Sequence, residues 1–296
     1  MYRGQSKHIG VQIQSSIRVL YPNYPVVKTH PISPGDDAEA AFAVPIFRFS
    51  NYRAREIAQG VAMIVALVFT TWSNTNVADE RYTIAVLGGT GNQGYGLALR
   101  WGAAGHKVLI GSRDASRAAD AATEINDPNV SGVANEEAAA AADIVVITVP
   151  FGAQEPTLKS VHTHVQNKIL VDVSVPLVPP KVMRVQLPEE GSAAQRAQAL
   201  VGDSVRVVSA FQNVSAEHLR DPDHAIECDV LVSGDDKDAR EVVVKLAQDA
   251  GMKAWHVGGL NNAAAAEALT SLLIFINKRY KIPGAGIRIT GTPDGG

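Results

Sequence analysis

Residues 82–114 read YTIAVLGGTGNQGYGLALRWGAAGHKVLIGSRD. The first six are β-formers in an almost unbroken apolar run, which predicts a strand covered on both faces by helices. The next seven, GGTGNQG, place Gly89, Gly91 and Gly94 in the G-x-G-x-x-G spacing, and a helical run follows from Tyr95. Each glycine has a use in a dinucleotide turn. Gly89 permits the tight turn, Gly91 lets the backbone approach a pyrophosphate, and Gly94 lets helix and strand pack closely. Thr90, Asn92 and Gln93 lie between them, where the free N–H groups and dipole of the helix start favour an anion.

The second strand, HKVLIGSRD at 106–114, bears on which dinucleotide is held. An NAD site places an acid near its end to bind the ribose hydroxyls, whereas a 2'-phosphate is repelled by a carboxylate and attracted by cations. Here the strand ends in Gly111, Ser112 and Arg113, with Arg117 one helical turn further on. Two arginines and the hydroxyls of Ser112 and Thr90 answer the charge of a phosphate, so NADP is expected over NAD. Asp114 is then the cap of the helix that follows. The alternative is that Asp114 is a ribose acid displaced by two residues.

Outward from this unit, 296 residues with 46% hydrophobic content can bury a large core, in one domain or two. A net charge of -3, from 27 basic and 30 acidic residues with no basic stripe, gives no case for nucleic acid. Cys228 is the only cysteine, so an intrachain disulfide is impossible and a reducing, cytoplasmic setting is compatible. Residues 1–80 read differently from the rest. Prolines at 22, 25, 31 and 34 interrupt regular structure, and GVAMIVALVFTTW at 60–72 is too short to span a bilayer. This part is expected to be an irregular extension with a short apolar helix and no stable membrane span; a membrane anchor and a packed addition are the alternatives.

Further strands are predicted at ADIVVITVP (142–150), NKILVDVSVPLVPP (167–180), VRVVSAF (205–211), DVLVSGDD (229–236) and MKAWHV (252–257). The fold class is α/β: a Rossmann-type doubly wound parallel sheet with a smaller C-terminal α/β or mainly helical domain. The NADP-binding domain is expected at 81–208 and the second domain at 209–296. Loops beyond the carboxyl ends of strands border the ligand crevice, so Thr148, Pro150, Ser174 and Pro176 are candidates for the nicotinamide pocket. Ala263–Tyr280 predicts a long helix, apolar on more than one face and buried between domains or subunits. Its Glu267 and Ser271 share a face and read as capping or core hydrogen-bonding groups, not ligand contacts. His162 and His164 form an H-x-H pair without a matching carboxylate or cysteine cluster, so no metal site is expected.

Taken in order, the glycine turn, GSRD, ADIVVITVP, VDVSVPLVPPK, VVSAFQNVSAEHL, GDDKDAR and AEALTSLLIFINKRYKIPGAGIRITG resemble the NADPH-dependent F420 reductases, also called F420H2:NADP oxidoreductases. The resemblance covers about residues 82–292. It implies reversible hydride transfer between NADP(H) and the 5-deazaflavin coenzyme F420, a homodimer, and Thr90, Ser112, Arg113 and Arg117 around the 2'-phosphate. It also implies a transfer region that includes Phe211 and Gln212 and a C-terminal domain that binds deazaflavin and forms the dimer. Compact members begin almost at the first strand. Some carry a histidine in the stretch where this chain has Gln212 and Asn213.

Direct hydride transfer needs proximity, alignment and exclusion of water, with no obligatory acid or nucleophile. No catalytic side chain is therefore assigned. The alternatives are an NADPH-dependent reductase of a flavin or of a small carbonyl or imine substrate, and an NADP-binding redox sensor without turnover.

Overall fold

The computed structural model describes residues 80–291. The expectations for the extension at 1–80 lie almost wholly outside the described residues. Strands β1 (Thr83–Leu87), β2 (Lys107–Ser112), β3 (Val130–Ala134), β4 (Ile144–Ile147), β5 (Ile169–Asp172), β6 (Arg206–Ser209), β7 (Val230–Gly234) and β8 (Ala254–His256) follow in chain order. Their order across the sheet is β3-β2-β1-β4-β5-β6-β7-β8, and the first six run parallel. This is the doubly wound arrangement the glycine turn predicts.

The continuous apolar runs become strands with two buried faces. Along β1, Ile84 and Val86 enter one core while Ala85 and Leu87 enter the other; along β4, Ile144 and Val146 part from Val145 and Ile147 in the same way. Helices α1 (Asn92–Ala103), α2 (Ala115–Ile125), α3 (Asn135–Ala141), α4 (Phe151–Val161), α5 (Ala193–Val201), α6 (Ala216–Arg220), α7 (Lys237–Asp249) and α8 (Ala263–Tyr280) accompany the strands. After β5 the chain runs from 173 to 192 without helix or strand, since Pro176, Pro179 and Pro180 remove backbone donors.

Residue 208, where the sequence places the change of domain, lies inside β6. The sheet continues past it, but β6 pairs with β7 antiparallel, through Val208↔Gly234 and Ser209↔Ser233. Helix α1 ties the two sides of this seam together. Trp101 is fully buried and its Nε1 donates to the Leu246 carbonyl at 2.8 Å. The Arg100 guanidinium donates to the carbonyls of His218, Leu219, Asp221, His224 and Ala250. Burial lowers the pKa of Arg100, and these five acceptors replace much of its lost hydration.

Helix α8 turns Ala263, Ala266, Glu267, Ser271 and Leu273 inward, while Leu272 and Phe275 remain 49% and 51% exposed. Among the described residues no helix is long and apolar enough to cross a membrane.

Candidate functional site

A cleft of about 640 Å³ opens at the carboxyl ends of β1 to β4, on the side where the strand order reverses. Its floor is the glycine turn. The sequence assigns the tight turn to Gly89, but the left-handed residue is the preceding Gly88, with φ +81°. A Cβ on Gly88 would meet Val149 Cγ1 at 2.6 Å as well, so only glycine fits there. Gly94 is excluded from growth by close packing: a Cβ would lie 2.4 Å from Thr148 Oγ1 and 2.7 Å from Gly89 Cα. Around Gly91, by contrast, a Cβ would meet only the Gly88 carbonyl, at 3.4 Å.

Helix α1 begins beside the cleft with Gly91 as its cap and no side-chain hydrogen bond to its first turn. Its opening amides are thus left for an anion, whereas α2, α5 and α7 are capped by Asp114, Ser192 and Asp236. Thr90, Ser112, Arg113, Arg117, Thr148 and Pro150 all line the cleft. Ser112 is buried, while Arg113 and Arg117 are exposed at its mouth. Asp114 also reaches the mouth, but its Oδ1 accepts from the Ser116 amide at 3.0 Å and the Ser116 hydroxyl at 2.7 Å. These bonds, the hydroxyl's foremost, lower its pKa. The carboxylate serves as the α2 cap.

Asn135 is a cleft residue that the sequence reading misses. It is buried at the start of α3, and its Oδ1 has no hydrogen-bond partner. An unfilled acceptor in a wall fits a ligand that brings a donor. Nothing in the local sequence marks it, because β3 and α3 carry no motif.

A second cavity, about 450 Å³, begins where the first ends, since Gly91 lines one and Asn92 the other. Its walls come from residues 212–217 after β6, from α8 through Thr270, Leu273, Ile274 and Asn277, and from residues 282–285. Gln212 and Asn213 are 5% and 3% exposed. Gln212 Nε2 donates to the Asp172 carbonyl at 2.7 Å and to Ser209 Oγ at 2.8 Å; Asn213 Nδ2 donates to the Asp229 carbonyl at 2.8 Å. Gln212 Oε1 and Asn213 Oδ1 both lack partners. Thr270 Oγ1 donates to the Gln212 carbonyl at 2.9 Å and steadies that wall.

Phe211 does not share this position. Its backbone is left-handed, φ +73°, which sends its ring into the core against Trp101, edge on, with centroids 5.8 Å apart. Only its carbonyl faces the glycine turn, where it accepts from Gln93 Nε2 at 3.1 Å. Ser174 and Pro176 are buried and line neither cavity; Ser174 stands behind the cleft wall, next to the Val149 carbonyl at 3.5 Å. His162 and His164 lie just beyond α4, and among the described residues no group of three metal-ligating side chains gathers.

Two carboxyl groups are buried near the cavities. Asp172 ends β5 and accepts from Gln154 Nε2 at 2.6 Å and the Ser174 amide at 2.8 Å. Glu267 on α8 accepts from the Ala193 and Ala194 amides at 2.7 and 3.1 Å and so caps α5. Desolvation pushes Asp172 up to about 6, against its bonds from Ser174 and Gln154, and Glu267 up to about 8, where the Asp172 charge adds to the rise against the lowering effect of the Ala193 and Ala194 amides.

The family described as NADP oxidoreductase coenzyme F420-dependent matches residues 83–176. The F420-dependent NADP reductase of Methanothermobacter thermautotrophicus is 45% identical over 222 residues, 71% of this chain and 96% of its own length. That of Methanocaldococcus jannaschii is 40% identical over 219 residues, 70% of this chain and 97% of its own. A solved structure from Arthrobacter sp. FB24, described as an F420-dependent NADP reductase, superposes with a TM-score of 0.62 at 26% identity, covering 71% of this chain and all of that one. At 40% identity or more across nearly the whole length of those relatives, with the glycine turn and both cavities inside the described body, the chain belongs to the F420-dependent NADP reductase family.

Proposed function

We propose that this protein transfers hydride reversibly between NADP(H) in the first cleft and coenzyme F420 in the second cavity. The observation that carries the reading is the meeting of two cavities at Gly91 and Asn92: the first has Arg113 and Arg117 at its mouth beside the glycine turn, and the second combines Leu273, Ile274 and Ile282 with the unfilled buried acceptors of Gln212 and Asn213. The reacting rings themselves supply the hydride and accept it. The chain's part is to bind, orient and keep water out.

In this reading Ser112, Arg113, Arg117 and Thr90 take the 2'-phosphate, and the α1 amides with Gly89, Gly91 and Gly94 take the pyrophosphate. Thr148 and Pro150 shape the nicotinamide end. Gln212 and Asn213 offer two acceptor oxygens to donors on the deazaflavin ring, while Leu273, Ile274 and Ile282 cover its apolar faces. No side chain is asked to move a proton in the transfer step. The part up to β6 holds the nucleotide and the part after it completes the second cavity.

The half-exposed Leu272 and Phe275 on α8, with Ile282 beyond it, support a homodimer through that helix. Sedimentation velocity at micromolar concentration should show a dimer; a persistent monomer contradicts it. A cytoplasmic location follows from a freely diffusing nucleotide substrate and agrees with a single buried thiol, Cys228. The function is tested by absorbance at the deazaflavin band with NADPH and F420, FAD or FMN side by side. F420 should be reduced, and rapid flavin reduction without F420 reduction would overturn the assignment.

A further inference from the structure

Asp172 lines neither cavity but is bonded to a residue in or behind the wall of each. Its carboxylate holds Gln154 on α4, whose neighbours Ala153, Pro156 and Thr157 line the nucleotide cleft. Its backbone carbonyl accepts from the side chain of Gln212, which lines the second cavity. Its other carboxylate oxygen holds the Ser174 amide, the start of the 173–192 segment, and Gln154 Nε2 also donates to the Ala193 carbonyl at 3.0 Å, just past that segment's end. The partners of the carboxylate are neutral groups: the Gln154 side chain and the amide and hydroxyl of Ser174. A buried charge held this way costs more than an apolar side chain of equal volume, so fold stability alone does not explain an acid at this strand end.

We infer that Asp172 is a positioning residue for the transfer step, fixing the spacing between the two cavities through Gln154 on one side and Gln212 on the other. The inference rests on the assignment of those cavities to NADP(H) and F420. Transfer between two bound rings is steep in their separation, and a displacement of about 1 Å can cost about a hundredfold in rate. Removing the side chain frees α4 and the 173–192 segment relative to β5, yet leaves the phosphate-holding residues and the carbonyl bonded to Gln212 in place. The expected defect therefore falls on the transfer rate and not on nucleotide affinity.

The chemistry also predicts which replacement is tolerated. Gln154 Oε1 is buried without a partner. In Asp172→Asn, the new Oδ1 can still accept from the Ser174 amide, and a flip of the Gln154 amide lets Nδ2 donate to its Oε1, so the link to α4 is kept and only the bond to the Ala193 carbonyl is given up. Single-turnover hydride transfer from NADPH, unlabelled or deuterated at the transferring carbon, to F420 is followed in the full-length protein, with the NADPH Kd measured by titration. Asp172→Ala should slow transfer about tenfold or more, retain a primary isotope effect and keep the Kd within about twofold, while Asp172→Asn stays within about threefold of the unaltered rate. If Asp172→Ala fails to fold, Gln154→Met cuts the same link from α4 and should show the same split.

Transfer within twofold of normal in a folded Asp172→Ala or Gln154→Met overturns the inference, as does a loss seen wholly in the NADPH Kd. Loss of the cooperative fold in both variants assigns the cluster to the core alone and overturns it too. Absence of F420 reduction by the unaltered protein overturns the functional assignment, and this inference with it.

Discussion

The two cavities meet at adjacent residues and are built by opposite means. The nucleotide cleft is assembled from the loops and helices that directly follow parallel strands, over residues 88–160, and its charged groups stand exposed at the mouth. The second cavity joins Asn92 to residues 212–217 and to 270–285; its amides Gln212 and Asn213 are sunk in the wall with acceptors unfilled, while Asn92 and Glu217 stand exposed. A phosphate can be gripped by exposed arginines because ion pairing tolerates water. A flat, mostly apolar ring is distinguished only where water is gone and an unmatched acceptor is costly. The contrast teaches that anion recognition is local and ring recognition is tertiary.

The largest effect expected from breaking this contrast is at Phe211, next to the second cavity but not in it. Phe211→Ala should lower unfolding stability by about 3–5 kcal/mol, the scale for an aromatic truncated in a packed core. Urea denaturation reads this, and a variant of normal stability with a raised F420 KM would place the ring in the cavity instead.

Next in size is the response of the buried carboxyl groups to pH. Glu267 is raised from 4.5 to about 8 and Asp172 from 3.8 to about 6. The folded chain thus holds these protons more tightly than the unfolded chain does. Their contribution is complete below about pH 4 and is lost as pH rises through 6 and then 8, a loss on the order of a few kcal/mol. The urea midpoint should fall from about pH 4 and level off near pH 8, and Glu267→Gln should flatten the part of that fall above about pH 6 whatever its effect on absolute stability. Equal slopes in the two proteins would remove Glu267 from the account.

At the cleft mouth, Arg113→Ala should weaken NADPH binding about tenfold to a hundredfold and leave NADH nearly unchanged. Calorimetric titration separates the two nucleotides; equal losses for both would detach Arg113 from the 2'-phosphate. The smallest effect is expected at Thr270→Val, which removes the hydroxyl that steadies the Gln212 carbonyl. About 1 kcal/mol, or roughly fivefold, should appear in the F420 KM with the NADPH KM unmoved. A matched rise in both would show that the two walls are not independent.

The sequence by itself determined the nucleotide half. The apolar run before GGTGNQG, the spacing of its glycines and the Ser-Arg ending of β2 all act within a few residues of themselves, so strand, turn, helix and phosphate charge could be argued without knowing what lies across the chain. Asp114 as the α2 cap was legible for the same reason. Other features were decided only by tertiary structure. Gly88, not Gly89, carries the left-handed turn, and Val149, from the loop after β4, closes over it. Phe211 looked like a ring-site residue by its place after β6, but its backbone turns and gives the ring to Trp101. Asn135 has no motif and enters the cleft because β3 pairs beside β2. Asp172 reads as the polar end of an apolar strand; its bonds to α4 and to Gln212 exist only once residues 154, 172 and 212 are brought together. Local pattern reports what the backbone must do next, whereas burial and hydrogen-bond satisfaction depend on partners that sequence distance hides.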